Sequence, residues 1–170
     1  MLVRFGYKGG LYMIFFLIAL FVFLLDWNIK NYIEDKFHMG KRKDIFNGKV
    51  TIKKQYNSGF CLNFLDNKKE LVKKVTAIVF GVLALAYVII IPGKHKSMKK
   101  LGLSLCLGGA ASNVLDRFKR GYVIDYFTIN IKPIKNIVFN LADIFIFIGS
   151  FITFLTSLSD GSSIHPNIEE

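Results

Sequence analysis

At 170 residues the chain is sized for one domain, with 52% hydrophobic residues, 15% aromatics and a formal charge of +11. So many apolar and aromatic side chains exclude intrinsic disorder, and two cysteines cannot staple a chain of this length. The basic excess points first to nucleic acid, but the charges crowd between long uncharged runs, which points to a bilayer instead.

The first run, Gly9–Leu25, holds 17 residues without a charge. Arg4 and Lys8 precede it, as in a secretory leader, but the chain continues Leu25-Asp26-Trp27-Asn28 with no small-x-small cleavage site. A retained helix is therefore expected. Asp26 and Lys30 stand at i, i+4, the spacing of an intrahelical ion pair. A long polar connection follows. In it Asn47-Gly48 is a two-residue hairpin signal, leading into the alternating stretch Lys49-Val50-Thr51-Ile52-Lys53.

Val75–Gly93 is the second run, with 19 residues, and Leu101–Leu115 the third, with only 15. Between them lies the basic loop Lys94–Lys100. Inside the third run, Gly108-Gly109-Ala110-Ala111-Ser112 lets helices approach closely. Asn113 and Asp116, at i, i+3, close it on one helical face, and Arg117 can neutralise Asp116 or hold a carbonyl. A second polar connection carries Asp125 and the alternating stretch Phe127-Thr128-Ile129-Asn130-Ile131. The last run, Asn136–Ser159, spans 24 residues with one charge, Asp143.

These runs predict an all-α membrane protein of four transmembrane helices. They lie over about 9–27, 73–93, 99–117 and 139–159, within one membrane-embedded domain covering 1–170. The outer connections, about 28–72 and 118–138, are expected to form a small extramembrane β-sheet. Four spans fix a parity. The end of helix 1, start of helix 2, end of helix 3 and start of helix 4 share one face, which gathers Asp26, Lys30, Asn57, Asn113, Asp116, Arg117, Asp125, Asn140 and Asp143. That face carries 14 Lys/Arg in its connections against six on the other, so the positive-inside rule taken literally puts it in the cytoplasm.

A carboxylate at the centre of a membrane helix costs ~2.5–3.5 kcal/mol on insertion scales and less near a helix end, so Asp143 reads as functional. The structural alternative is a helix-start residue satisfied by the dipole. Asp125 alone reads as a surface acid on a strand. Together the two form a candidate dyad, sharing one proton, with one carboxyl as base on water and the other as acid on a carbonyl. The scattered histidines 38, 95 and 165 and the distant Cys61 and Cys106 suggest no metal site, and no cofactor-binding loop is present. The basic clusters suit lipid headgroups better than nucleic acid.

Five blocks in order resemble the lipoprotein signal peptidases (signal peptidase II), small four-span membrane aspartic proteases. They are Asp26-x-x-x-Lys30, Asn57-x-Gly59, Gly108–Ser112 running into Asn113-x-x-Asp116-Arg117, Gly121-x-Val123-x-Asp125, and Phe139-Asn140-x-Ala142-Asp143. The resemblance covers roughly residues 11–155. It implies removal of the signal peptide from diacylglyceryl-modified prolipoproteins, just before the lipid-modified cysteine. It implies catalytic roles for Asp125 and Asp143, and substrate-binding roles for Asn57, Gly59, Asn113, Arg117 and Asn140. Asp26, Lys30 and Asp116 become supporting polar residues. It also implies a monomer in the bacterial cytoplasmic membrane, among membrane lipids, with the active site at the outer face and both termini inside. The Lys/Arg count leans the other way. Three departures stand out: Phe60-Cys61-Leu62-Asn63-Phe64 after the Asn57 block, Ser112 where Gly is usual, and Trp27 where a Gln is common. A proton-coupled transporter or a non-catalytic lipoprotein- or lipid-binding relative are the alternatives, one using intramembrane carboxylates as relays and the other retaining no need for both aspartates.

Overall fold

A computed structural model describes residues 3–60, 64–94 and 96–161. Helix α1 (Val3–Lys36) runs into a hairpin of β1 (Arg42–Ile45) and β2 (Val50–Asn57). A short 3-10 turn, Asp66–Lys68, opens α2 (Lys69–Ile90), and α3 (Ser97–Lys119) returns antiparallel to it. Strand β3 (Val123–Ile129), a second 3-10 turn at Ile134–Asn136 and α4 (Leu141–Gly161) complete the chain.

Among the described residues three helical stretches are long and apolar enough to cross a membrane: Tyr12–Lys36, Asp66–Ile90 and Leu141–Ser159. Their outward faces are exposed large hydrophobics, such as Phe21, Val82 and Phe147, which a bilayer rather than water would cover. Helix α3 is not among them. It packs against α1, α2 and α4 and hides small and polar side chains, including Gly102, Ser104, Gly108, Gly109 and Ser112. Of the four expected transmembrane helices, three are thus shown to be apolar enough to cross. The low hydropathy of α3 follows from its central place, where close packing selects small residues.

The close approaches are specific. A Cβ on Gly109 would sit 2.7 Å from the Ala142 carbonyl oxygen of α4, and one on Gly102 would sit 2.7 Å from that of Gly149. Gly108 meets Ala19 and Val22 of α1 in the same way.

Helix α1 outlasts its expected end near residue 27 by more than two turns. Asp26 and Lys30 neutralise one another within it at 2.8 Å, so the charges do not end the helix. The sheet has the order β1-β2-β3, all antiparallel, with Ile45 opposite Val50 and Ile52 opposite Phe127. Asn47 and Gly48 both take positive φ, and the Lys49 N–H closes the turn on the Phe46 carbonyl at 3.2 Å. The two outer connections therefore do pair, through β2 and β3. The paired segment of β3 begins four residues before the alternating stretch at Phe127, because its first four residues are buried and carry no alternation to read. Ile33 of α1 with Ile124 and Tyr126 of β3 form the cluster that seats this sheet on the helices.

Candidate active site

The site is assembled where α1, α3 and α4 meet the sheet. Gly121, with φ +81°, lets the chain leave α3 and enter β3 at once, which brings Asp125 back over the end of the helix. Asp125 is 3% exposed, so it is not the surface acid that its strand setting alone suggests. Its Oδ2 accepts from Asn57 Nδ2 at 3.0 Å and its Oδ1 from Asn140 Nδ2 at 2.8 Å.

Asp143 occupies the first turn of α4. Its Oδ1 accepts from Asn113 Nδ2 at 3.0 Å. Its Oδ2 accepts from the Asn140 N–H at 3.1 Å, while its own N–H donates to Asn140 Oδ1 at 2.9 Å. This is a reciprocal capping box with Asn140 as N-cap and Asp143 at the third position. Asn140 thus touches both carboxyls, while Asn57 and Asn113 each touch one. Burial, and then the Asp143 charge, push the Asp125 carboxyl up to about 7, against the pull of Asn57, Asn140 and Lys30.

A second layer lies beneath. Lys30 is fully buried; it forms ion pairs with Asp26 Oδ2 (2.8 Å) and Asp116 Oδ2 (3.1 Å) and donates to Ser112 Oγ (3.2 Å) and Asn113 Oδ1 (2.7 Å). The last contact fixes which end of the Asn113 amide faces Asp143. Ser112 Oγ donates to Asp26 Oδ2 at 2.5 Å, so the residue that replaces the usual glycine joins the ion cluster. Asp116 also pairs with Arg120 and accepts from the Ile124 N–H at 3.2 Å, tying α3 to β3. Arg117 reaches in another direction. Its Nη2 donates to the Gly59 carbonyl at 2.8 Å, fastening the Asn57–Gly59 turn, in which the Gly59 N–H donates to Asn57 Oδ1 at 3.1 Å. Trp27 lies beneath the Arg120 guanidinium, 4.4 Å from its ring centroid, with the Lys119 ammonium at 5.0 Å.

All ten residues singled out from sequence are therefore in one contiguous polar network. Tyr126 belongs to it as well and was not anticipated. Its hydroxyl accepts from the Leu141 N–H at 2.9 Å and donates to Asp26 Oδ1 at 3.0 Å. Burial and the Asp26 carboxylate raise its pKa well above the usual phenol range, so it stays a donor. The only sequence hint was its place beside Asp125, on the opposite face of the strand. Cys61, Leu62, Asn63, His95 and His165 lie outside the described residues. Among the described residues no group of three His, Cys, Asp or Glu side chains is placed to hold a metal ion.

The family described as "Signal peptidase (SPase) II" matches residues 18–159. A lipoprotein signal peptidase of Moorella thermoacetica is 33% identical over 138 residues, covering 81% of this chain and 88% of that one. That of Caldicellulosiruptor bescii is 31% identical over 149 residues, covering 88% and 93%. Two solved structures titled as a bacterial membrane enzyme, determined by the in meso method, share the fold. The one at 2.3 Å resolution has a TM-score of 0.76 at 24% identity, covering 91% of this chain and 93% of its own. The one at 1.9 Å has a TM-score of 0.72 at 25% identity, covering 85% and 92%.

Proposed function

The chain belongs to the signal peptidase II family of bacterial membrane peptidases, and from that premise and the site geometry we propose that Asp125 and Asp143 form its catalytic pair. The substrate is a prolipoprotein, cut just before its diacylglyceryl-modified cysteine. The observation that carries this reading is Asn140, which hydrogen-bonds to both carboxyls at the sheet-side end of α4.

The pair holds one proton between its two carboxyls. The ionised carboxyl takes a proton from water as that water attacks the scissile carbonyl. The protonated carboxyl donates to the carbonyl oxygen, so the tetrahedral intermediate forms without a free oxyanion. On collapse the C–N bond breaks, the proton taken from water passes to the leaving amine, and the diol hydroxyl returns its proton to the carboxyl that gave it, so that the pair again holds one proton. Asp125, with its carboxyl up near 7, is the member suited to carry the proton at neutral pH. Asn57 and Asn140 hold Asp125, and Asn113 and Asn140 hold Asp143, so neither carboxyl must reorganise during the step. Arg117 and Gly59 frame the edge on which the substrate chain would lie.

The remaining parts of the reading are architectural. The whole chain acts as one membrane-embedded unit and a monomer. Helix α3 crosses the bilayer as a fourth span, shielded from lipid by α1, α2 and α4. The site faces the outer side of the cytoplasmic membrane, with membrane lipids against the basic connections. The test is to incubate the purified protein with a diacylglyceryl prolipopeptide. Cleavage on the N-terminal side of the modified cysteine is expected, and no cleavage with substrate binding intact would refute the peptidase mechanism.

A further inference from the structure

The N-terminal turn of a helix leaves its first N–H groups without helical partners. In α4 the first three amides each find a partner on a different part of the molecule. Leu141 N–H donates to the Tyr126 hydroxyl of β3 at 2.9 Å, Ala142 N–H to Asp26 Oδ1 of α1 at 3.1 Å, and Asp143 N–H to Asn140 Oδ1 at 2.9 Å. A phenol has one proton. Since Tyr126 accepts from Leu141, that proton goes to Asp26 Oδ1, 3.0 Å away.

Asp26 is fully buried, and Tyr126 is 5% exposed. Water does not compete for these bonds, and a lost partner is not readily replaced. The chain around Tyr126 is fixed as well: its N–H and that of Phe127 donate to the Phe139 carbonyl at 2.9 and 3.0 Å, and Phe139 is the neighbour of Asn140. Asp125 and Tyr126 are adjacent on β3 and point to opposite faces of it. One dipeptide thus carries one carboxyl of the pair on one side and seats the helix bearing the other carboxyl on its second side.

We infer that the Tyr126 hydroxyl is a positioning group for peptide cleavage: by joining Asp26 to the first amide of α4, it sets where the Asp143 carboxyl stands relative to Asp125. The inference rests on the reading of Asp125 and Asp143 as the catalytic pair. Tyr126 acts through the helix start, so its removal should affect the chemical step and leave substrate binding in place.

Tyr126→Phe keeps the ring packed on Ile33 and Ile124 and deletes only the hydroxyl. The Leu141 N–H and Asp26 Oδ1 then each lose a bond, and kcat on a diacylglyceryl prolipopeptide should fall about tenfold, with KM unchanged within about twofold. Hydrogen exchange on the folded variant should show lost protection in the first turn of α4 and unchanged protection beyond it. Tyr122→Phe removes a hydroxyl that faces Glu34 at 3.5 Å instead, and should leave kcat unchanged. A Tyr126→Phe kcat within about twofold of the parent overturns the inference. So does a loss of activity that merely tracks a fall in folded fraction, or a rise in KM at constant kcat. Asp143→Asn, assayed alongside, separates the two levels: if it is inactive while Tyr126→Phe is normal, the pair stands and the positioning role falls. If Asp143→Asn turns over substrate, the pair itself falls and takes the inference with it.

Discussion

Asparagine at position 125 or 143 keeps the size of the side chain and an acceptor oxygen, but can neither take nor give a proton in the step. Asp125→Asn and Asp143→Asn should each abolish cleavage with insertion intact, and the double variant should be little worse than either single, because the two act as a unit. Measurable turnover in a correctly inserted single variant would refute the pairing. The same carboxyl gives a signed pH prediction. Asp125 is raised from an ordinary 3.8 to about 7, so the folded protein binds a proton there that the unfolded chain releases. The folded state therefore holds more protons between those values, and stability contributed at this site is greatest at low pH and declines as pH rises toward about 7. Asp125→Asn removes that decline. Its thermal midpoint should exceed the parent's at about pH 8 and match it near about pH 4, and an equal difference at both would refute the assignment. Activity should likewise fall above about 7 as the shared proton leaves. At this scale nine of the ten residues that meet in the network were legible from side-chain chemistry, and Gly59, which bonds through its backbone N–H and carbonyl, only from the block in which it sits. Tyr126 was not legible. Its role depends on which face of β3 meets α4, and a hydroxyl beside an aspartate carries no signal of that.

Helix α4 can bring Asp143 to the site only if α3 lets it approach, and Gly109 is where it does so, one residue along α4 from the carboxyl. A valine there would place Cβ 2.7 Å from the Ala142 carbonyl oxygen, backbone that cannot rotate away. Gly109→Val should lower the thermal midpoint and remove activity together. Gly81→Ala, on α2 where a Cβ meets nothing within 4 Å, should be neutral or slightly stabilising. Equal effects of the two substitutions would mean that α3 and α4 do not rely on this contact. The elements differed in how openly the sequence announced them. Helices α1, α2 and α4 follow from apolar runs, and the Asn47-Gly48 hairpin from its turn residues. The length of α1 beyond residue 27 did not, because Asp26 and Lys30 look like the end of a span until their mutual pairing and their burial under Ser112 and Asp116 are seen. The first half of β3 was equally hidden, since a strand buried on both faces loses its alternation.

For the whole molecule the open quantity is the number of crossings, and α3 decides it. With 23 residues α3 is about 34 Å long at 1.5 Å per residue, enough to match the bilayer core. Its mean composition falls short of a lipid-facing span because other helices, not lipid, cover it. If α3 crosses, the start of α1, the end of α2 and the end of α4 lie on one side, while the β1–β2 hairpin and the acid cluster lie on the other. If it does not, α4 would have to enter from the side opposite to the start of α2, which would separate Asp143 from Asp125, against the bonds that Asn140 makes to both. The Lys/Arg excess of the sheet side opposes an outward placement by the positive-inside rule. Part of that charge is engaged locally, however: Lys54 pairs with Glu34 at 3.6 Å, Arg120 with Asp116, and Lys41 lies over the Phe37 ring at 5.7 Å. Charges so held on a folded sheet give a weaker retention signal than their number implies. A reporter fused after Glu170 should therefore read as cytoplasmic. A cysteine replacing Asn47, at the hairpin tip, should react with an impermeant thiol reagent added to intact cells, while one replacing Gly93 should react only after the membrane is opened. Labelling of the Gly93 position from outside would invert the topology and place the site where a translocated prolipoprotein does not present its lipid-modified cysteine.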